Sequence, residues 1–286
     1  MINKEKQINY KRSIFNQYKN YDELDINEVA TILLDQYKII GGRKFLDVPE
    51  ANYLMPSDEM ELRRIEIAHV LKRYAWKGNF NAPVEDMLKN GKADVLDAGH
   101  SIKCLPNTGF LEYNLIRGIP FPDETFDYVH VSSMWSAFTK QQYINVIHEL
   151  VRVTKYNGWI EIFESNMDYK NLGNSMKGVQ DARKFTQISV HTKLKENGIV
   201  PKIFLEISKC IRSINELTNI EHRKLNVLEA IQQFYESATY MADYMGISQS
   251  DYQKLIEDFD NQCNQNRTYL ETHRFFAKKV KISETQ

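Results

Sequence analysis

The sequence has little of several features that would assign a function directly. Its three cysteines (Cys104, Cys210 and Cys263) are odd in number and far apart, so we expect reduced thiols rather than a disulfide framework or a zinc site. Basic and acidic residues number 37 and 38, without the basic excess typical of nucleic-acid binding. No apolar run reaches the roughly 18 residues of a membrane span, and residues 1–7 have no hydrophobic signal core. We expect a cytoplasmic or nuclear protein with neither nucleic acid nor membrane as partner.

The composition is that of an ordinary globular protein. Hydrophobic residues make up 42% and charged residues 26% of the sequence. A chain of 286 residues can form one large domain or one domain with a helical extension. We divide the chain into an N-terminal arm and helix (1–40), a main domain (41–280) and a short tail (281–286). The sequence contains no internal repeat.

The first hundred residues favour helices. Apolar residues at spacings of three and four predict an amphipathic helix over 26–39, which Gly41-Gly42 would end. Pro56-Ser57-Asp58 predicts the start of a second helix that runs to about Tyr74. A third, short helix is expected after Pro83.

From residue 95 onward, strands alternate with helices, which predicts a parallel sheet covered on both faces. The predicted strands are 95–98, 109–114, 126–131 and 159–163, with a capped helix from Thr139 to Val153 and a turn at Asn157-Gly158. Further along, the expected elements are helices within 175–214, a strand at 216–227, helices at 228–245 and 248–264, and a terminal edge strand at 268–280.

One motif begins and then breaks off. Ala93-Asp-Val-Leu-Asp-Ala-Gly99 reads as the first strand of a nucleotide-cofactor sheet, after which a glycine-rich turn should open a helix. The positions of the later two glycines are held by Ser101 and Lys103. Glycine is needed there for positive φ or for close backbone approach, so the cofactor turn is expected to be impaired.

Several segments together resemble the class I S-adenosylmethionine-dependent methyltransferases, and among them the fungal methyltransferase-domain proteins that include regulators of secondary metabolism. The segments that carry the resemblance are Tyr53-Leu-Met-Pro-Ser-Asp, Val95-Leu-Asp-Ala-Gly, Gly118-Ile-Pro-Phe-Pro-Asp-Glu-Thr-Phe-Asp and Glu149-Leu-Val-Arg-Val-Thr-Lys-Tyr-Asn-Gly. The resemblance implies an α/β fold of the Rossmann-like class I methyltransferase type, with N-terminal helices and a helical insertion before the last strand.

The resemblance also implies S-adenosyl-L-methionine as cofactor, held at the carboxyl ends of the first strands. The cofactor-binding candidates that follow are Asp97, Gly99, His100, Asn114, Arg64 and His130. No catalytic residue and no metal ligand is assigned. The methyl acceptor, a small molecule or a protein, stays open.

Local structural roles compete with these assignments. Asp97 and Asn114 could instead bind the backbone of their own turns. His100 could be an exposed loop residue rather than a general base, and Arg64 could lie on a solvated helix face. These alternatives are left open at this point.

The spacing after the first strand is short for the family. Only 28 residues lie between Asp97 and Phe126, where the family needs three crossovers and one βαβ unit takes about 30 residues. We therefore predict a sheet short of one strand and its helix, with no identifiable acid for the ribose. Two hypotheses follow: a methyltransferase-family member with impaired cofactor binding, or a non-catalytic methyltransferase-like protein that acts as a binding or regulatory module.

Overall fold

A computed structural model describes residues 37–47, 55–91, 93–98, 114–165, 170–171, 191–200, 202–227, 242 and 245–282. The helices it contains are α1 (Glu59–Ala75), α2 (Glu85–Lys89), α3 (Lys140–Val153), α4 (His191–Glu196), α5 (Ile203–Ser213) and α6 (Gln249–Asn266). The strands are β1 (Tyr37–Ile40), β2 (Arg43–Leu46), β3 (Val95–Ala98), β4 (Phe126–Ser132), β5 (Thr154–Ser165), β6 (Leu217–Val227) and β7 (Leu270–Lys279).

The predicted α/β fold with a mainly parallel sheet is confirmed. Five strands form one sheet in the order β3-β4-β5-β7-β6. Strands β3, β4 and β5 run parallel, and β7 is antiparallel to both of its neighbours, β5 and β6. Four strands therefore share one direction, and their carboxyl ends meet at one edge, which we call the carboxyl edge.

Packing on the two faces of this sheet is unequal. The larger cluster buries alternate residues of β4 and β5, such as Val129, Val131 and Ile162, against α3 and α5. A smaller cluster on the other face joins Tyr128 and Phe276 to the loop before α2. Burial of side chains on both faces explains why the central strands read as apolar runs.

The predicted helix over 26–39 is wrong at its end. Residues 37–40 form β1, which pairs antiparallel with β2. Gly41 and Gly42 both have positive φ, 54° and 76°, so they make the hairpin turn instead of ending a helix. Apolar residues at positions 37 and 40 are compatible with a helix or with a strand. The glycine turn that follows them favours the strand, because it allows pairing with β2. Residues 26–36 lie outside the described residues.

Helix α1 begins where the sequence predicted. The carboxylate of Asp58 accepts a hydrogen bond from the backbone N–H of Glu61 at 3.1 Å, as an N-cap does. The same carboxylate binds Arg43 of β2 through two hydrogen bonds of 2.5 and 2.8 Å. Those bonds lower the pKa of Asp58, and they join the start of α1 to the hairpin.

Strand β5 begins earlier than predicted. It runs without a break from Thr154, and the expected turn at Asn157-Gly158 is an irregularity within the strand, where Asn157 has a φ of 66°. A Cβ atom at Gly158 would lie 2.8 Å from the carbonyl oxygen of Asp127 on β4. Glycine is therefore required here because the backbones of two paired strands approach closely.

Strand β7 is antiparallel to both of its neighbours, and the prediction that it is an edge strand is wrong. It lies between β5 and β6, and eight of its ten residues are buried. Three of its buried residues are polar: His273, Arg274 and Lys279. Because polar residues alternate with apolar ones, the segment has the sequence pattern of a half-exposed edge strand. The predicted strand at 109–114 lies outside the described residues, except for Asn114.

Helix α3 begins with a capping box that gives a stability prediction. The Thr139 hydroxyl accepts from the N–H of Gln142, whose side chain accepts from the N–H of Thr139 in return. Thr139→Ala should lower the free energy of unfolding by about 1 kcal/mol, as measured by urea titration. Thr139→Ser keeps the hydroxyl and is the control. Equal loss in both variants would show that the cap does not carry the effect.

Candidate functional site

The carboxyl edge of the sheet is crossed by the second half of α1. The Lys72 ammonium group donates to the Ser133 hydroxyl, just past the end of β4, at 2.7 Å. The Trp76 indole N–H donates to the Thr272 hydroxyl on β7 at 3.0 Å. These two contacts place the helix over the strand ends.

A small cleft lies between α1 and the strand ends. Its volume is about 30 Å³, well below the roughly 300–1,000 Å³ of small-molecule sites. The described residues that line it are His69, Lys72, Arg73, Gly78, Asn79, His130, Ser132, Phe163 and Arg274. Three of these nine are permanently cationic, two are histidines and none is acidic.

Arg274 is the buried member of this set, since only 3% of its surface is exposed. Its Nη1 and Nη2 groups donate to the Asn81 side chain at 2.9 Å and the Gly78 carbonyl at 3.1 Å. The guanidinium carbon lies 4.8 Å from the ring centre of Trp76 and 5.5 Å from that of Phe163. Its Nε–H has no hydrogen-bond partner among the described residues.

Glu161 is the buried counter-ion of Arg274. Its carboxylate lies 3.5 Å from the guanidinium and accepts from the backbone N–H groups of Asn81 and Ala82 at 2.8–3.0 Å. The Tyr128 hydroxyl donates to it at 3.2 Å, and burial beside this carboxylate raises the pKa of Tyr128. Glu161 therefore ties the loop after α1 to β4, β5 and β7.

Glu164 occupies a second buried position near the end of β5. It accepts from the Tyr143 hydroxyl at 2.5 Å and from the N–H groups of Met134 and Trp135 at 2.9 and 3.3 Å. Burial raises the pKa of Glu164 to about 7. The bonds to Met134 and Trp135 hold the loop after β4 in place. Glu164 is not among the described residues that line the cleft.

The pKa of Glu164 predicts a specific pH dependence of stability. Because the folded protein holds this proton more tightly than the unfolded chain, the stabilisation is fully present below about pH 4.5 and is lost as the pH rises through about 7. The loss amounts to about 3 kcal/mol. Unfolding titrations across this range should show it in the wild type and not in Glu164→Gln.

Tyr143→Phe supplies a companion test of the same carboxylate. The Tyr143 hydrogen bond lowers the pKa that burial raises, so its removal should extend the loss of stability to higher pH. An unchanged profile in both variants would contradict the assignment to Glu164.

Two predicted site residues contact each other directly. Asp97, near the end of β3, and His130, on β4, are paired in the parallel register, and their side chains lie 3.0 Å apart from Oδ1 to Nδ1. The His130 side chain is 18% exposed and that of Asp97 is 48% exposed. His69 of α1 faces this pair, and burial together with Lys72 lowers the pKa of His69.

The other predicted residues lie apart from the cleft or outside the described residues. Arg64 binds Glu61 on its own helix through bonds of 2.8 and 2.6 Å, and it is not among the cleft-lining residues that the structure describes. The Asn114 side chain accepts from the N–H of Ile116 at 3.1 Å and caps a 3₁₀ turn, which is the local role weighed above. Gly99 and His100 lie outside the described residues.

Sequence reasoning missed the cationic members of the cleft. Lys72 and Arg73 follow His69 on α1, and neither is among the predicted cofactor-binding residues. Arg274 lies in a strand that was taken for an edge. A charged residue between apolar ones in such a strand is the signal that could have identified Arg274.

Two of the segments that carry the family resemblance, 118–127 and 149–158, meet away from the cleft, at the amino ends of β4 and β5. Arg152 of α3 donates to Glu149 and Asp123 and to the carbonyls of Phe121 and Ile119, all at 2.8 Å. Glu149 in turn accepts from the N–H of Ile119 at 2.8 Å. These blocks therefore hold the fold together and do not contribute to the cleft.

Within the described ranges, no group of three His, Cys, Asp or Glu side chains could hold a metal ion. No helix in that same part of the chain is long and apolar enough to cross a membrane.

No family model matches the sequence, and no curated protein matches it either. Among solved structures, phosphoethanolamine N-methyltransferase 2 of Haemonchus contortus, bound to phosphomonomethylethanolamine and S-adenosylhomocysteine, is 14% identical with a TM-score of 0.32. That match covers 56% of this chain but only 35% of the Haemonchus enzyme.

Two further matches have similar scores. A candidate methyltransferase from Bacillus halodurans C-125 is 13% identical with a TM-score of 0.38, covering 70% of this chain and all of the other. Geranyl diphosphate methyltransferase in complex with S-adenosylmethionine is 14% identical with a TM-score of 0.29, covering 58% of this chain and 54% of that one.

Proposed function

We propose that this protein is a member of the class I S-adenosylmethionine-dependent methyltransferases in which cofactor binding is impaired. Its sequence blocks resemble those of the fungal members, and we propose the same origin for it. The methyl acceptor is a small molecule or a protein that the cleft does not define.

The sheet supports membership of this class. The family implies a parallel sheet with an antiparallel last strand, and here β3, β4 and β5 are parallel while β7 is antiparallel. The broken cofactor motif falls at the end of β3, at the carboxyl edge where ligands of such sheets bind.

The observation that carries the impairment is the short connection after β3. Fifteen residues, 99–113, separate the end of β3 from Asn114, which caps the 3₁₀ turn before β4. A parallel crossover takes a dozen or more residues, so the further strand-and-helix units that the family implies do not fit. The acid that would hold the ribose hydroxyls lies at the end of the second strand in the family. A chain too short for that strand has no corresponding residue.

The charge at the carboxyl edge also opposes the cofactor. S-adenosylmethionine carries a positive sulfonium, and the cleft is lined by Lys72, Arg73 and Arg274, of which Arg274 is paired with Glu161. Two like charges 4 Å apart repel by about 1 kcal/mol in water and by more near a protein surface.

A non-catalytic binding module is the second candidate function. The same cleft favours it, because a small space lined by cations suits recognition of an anion better than methyl transfer from a cation. The carboxylates Glu161 and Glu164 are both engaged by several donors, which suits structural roles better than proton transfer.

Stabilisation by S-adenosylhomocysteine tests the proposed impairment. A ligand at 1 mM raises the free energy of unfolding by about 4 kcal/mol if its Kd is about 1 μM, and by about 0.4 kcal/mol if its Kd is about 1 mM. We expect the smaller value, from urea titrations with and without the ligand. Asp97→Asn is the matched control.

The control separates specific from general effects. A rise of several kcal/mol in the wild type that Asp97→Asn abolishes would contradict the impairment and make Asp97 a working cofactor residue. A small effect, equal in both proteins, is the expected result.

A further inference from the structure

Helix α1 exposes an apolar face. Five large apolar residues recur along it at spacings of three, four and seven, so they share one side of the helix, here called the outer face of α1. They are Met60, Ile67, Val70, Leu71 and Tyr74. Between 38% and 85% of the surface of each is exposed.

The side of α1 that meets the sheet is polar instead. Only one of the 17 residues of this helix is buried, and that residue is Glu61. The contact with the end of β4 is made by the Lys72 ammonium group. With a helical repeat of about 3.6 residues, Glu61 and Lys72 lie on the side of the helix axis opposite to the outer face. The apolar face of α1 therefore points away from the sheet.

This orientation is the reverse of the usual one. A surface helix normally turns its apolar stripe toward the core, as α3 does with six buried residues out of 14. Among the described residues, six of the ten large hydrophobic side chains that are exposed belong to α1. Contiguous apolar patches of this kind mark interaction sites, so the outer face indicates a surface that another segment covers.

A segment of suitable length and pattern precedes the first strand. Residues 22–36, here called the arm segment, are outside the part of the chain that the structure describes. Apolar residues recur in the arm segment at Ile26, Val29, Ile32 and Leu33, at helical spacing. As a helix its 15 residues would span about 22 Å, and the outer face from Met60 to Tyr74 spans about 21 Å.

The chain brings the arm segment to the start of α1. Phe45 of β2 pairs with Lys38 of β1 on one side and forms a bridge with Pro56 on the other. Two strand spacings of about 4.8 Å place Lys38 about 10 Å from Pro56. Asp58, the N-cap of α1, follows two residues later. Because packed helix axes are about 8–10 Å apart, the arm segment ends at a distance that suits packing beside the first turn of α1.

The charges of the two segments agree with an antiparallel arrangement. Three of the first four residues of the arm segment are acidic, Asp22, Glu23 and Asp25, and the whole segment has no lysine or arginine. A helix that ends beside the start of α1 would begin beside its end, where Arg73 and Lys77 are exposed. Opposite charges would then face each other at that end of the pair.

We propose that the arm segment docks on the outer face of α1 as an antiparallel amphipathic helix. The arm segment is favoured over a second copy of the chain because the β1–β2 hairpin tethers it close to α1, which gives a high effective concentration. The outer face lies on the far side of α1 from the cleft, so this proposal is independent of the proposed function.

Hydrogen–deuterium exchange of the protein, followed by mass spectrometry of peptides that cover residues 22–36, tests the docking. Isolated helices shorter than about 12–15 residues are marginal in water, so slow exchange in this segment requires a surface that holds it. We expect its amides to exchange at least about tenfold more slowly than those of an unfolded chain.

Ile67→Asp should abolish this protection, because docking would bury the new carboxylate. Leu205→Asp on α5 is the matched control: Leu205 is 50% exposed and Ile67 is 56% exposed, and the control should keep the wild-type exchange in residues 22–36. Since both positions are exposed, neither substitution is expected to disrupt the described fold.

A second pair of variants tests the arm segment itself. Leu33→Asp should abolish the protection as Ile67→Asp does. Thr31→Asp adds the same charge on the opposite side of the expected helix and should leave the protection unchanged.

Unprotected exchange of residues 22–36 in the wild type would overturn the proposal. So would protection that survives both Ile67→Asp and Leu33→Asp, or an equal loss in the two control variants. A dimer that light scattering detects and Ile67→Asp dissociates would assign the outer face to a second copy. Binding to anionic lipid vesicles that Ile67→Asp abolishes would assign it to a membrane surface. Either of these results would also overturn the proposal.

Discussion

Replacing Glu161 with alanine should lower the free energy of unfolding by about 3–5 kcal/mol, the usual loss when one partner of a buried ion pair is removed. The change would leave the Arg274 guanidinium buried without its counter-ion. It would also leave the backbone N–H groups of Asn81 and Ala82 and the Tyr128 hydroxyl without their acceptor. Urea titration followed by circular dichroism measures the effect.

Two further variants test whether the loss of stability comes from the buried carboxylate. Glu221→Ala on β6 removes an exposed carboxylate paired with Arg223 and should change stability by no more than about 0.5 kcal/mol. Glu161→Gln keeps the side-chain volume but turns an amide group toward N–H donors, so it should be destabilised as well. Wild-type stability in Glu161→Ala would contradict the network described here.

The second large effect concerns the affinity for the cofactor. S-adenosylhomocysteine should bind with a Kd near 1 mM or weaker, about a thousandfold weaker than a micromolar cofactor site. A hydrogen bond to a charged partner contributes about 1.5–3 kcal/mol, and each 1.4 kcal/mol is tenfold in affinity. Under the proposed function, the ribose acid and one or two main-chain bonds at the positions of Ser101 and Lys103 are lost, which would account for that difference.

Helix starts and central strands could be predicted because their signals are local. Asp58 and Thr139 were identified as helix starts from sequence, and the structure shows both side chains bonded to the backbone of the first turn. Strands β3 and β4 lie where their apolar runs indicated. Periodicity and caps depend on neighbours within a few residues, so one sequence suffices to find them.

Elements that depend on distant partners could not be predicted in the same way. Residues 37–40 were expected to end a helix, and pairing with β2 makes them a strand. Strand β7 was expected at an edge, and its place between β5 and β6 depends on residues more than 40 positions away. Burial of Arg274 is possible only because Glu161 and Asn81 lie opposite it.

The candidate site could also be predicted only in part. Asp97 and His130 were both identified from strand ends, but their contact depends on the β3–β4 register, which the sequence does not specify. The sequence blocks that carry the family resemblance, around Asp123 and Arg152, stabilise the amino ends of the strands, opposite the cleft. Family resemblance therefore indicated the fold, and the chemistry of the cleft had to come from the structure.

Calorimetric titration of the protein with S-adenosylhomocysteine measures directly whether cofactor binding is impaired. The same sample should first show one cooperative unfolding transition, which establishes that the protein is folded. We expect either no measurable binding or a Kd near 1 mM or weaker. A Kd in the micromolar range, lost in Asp97→Asn, would contradict it and identify the chain as a working methyltransferase.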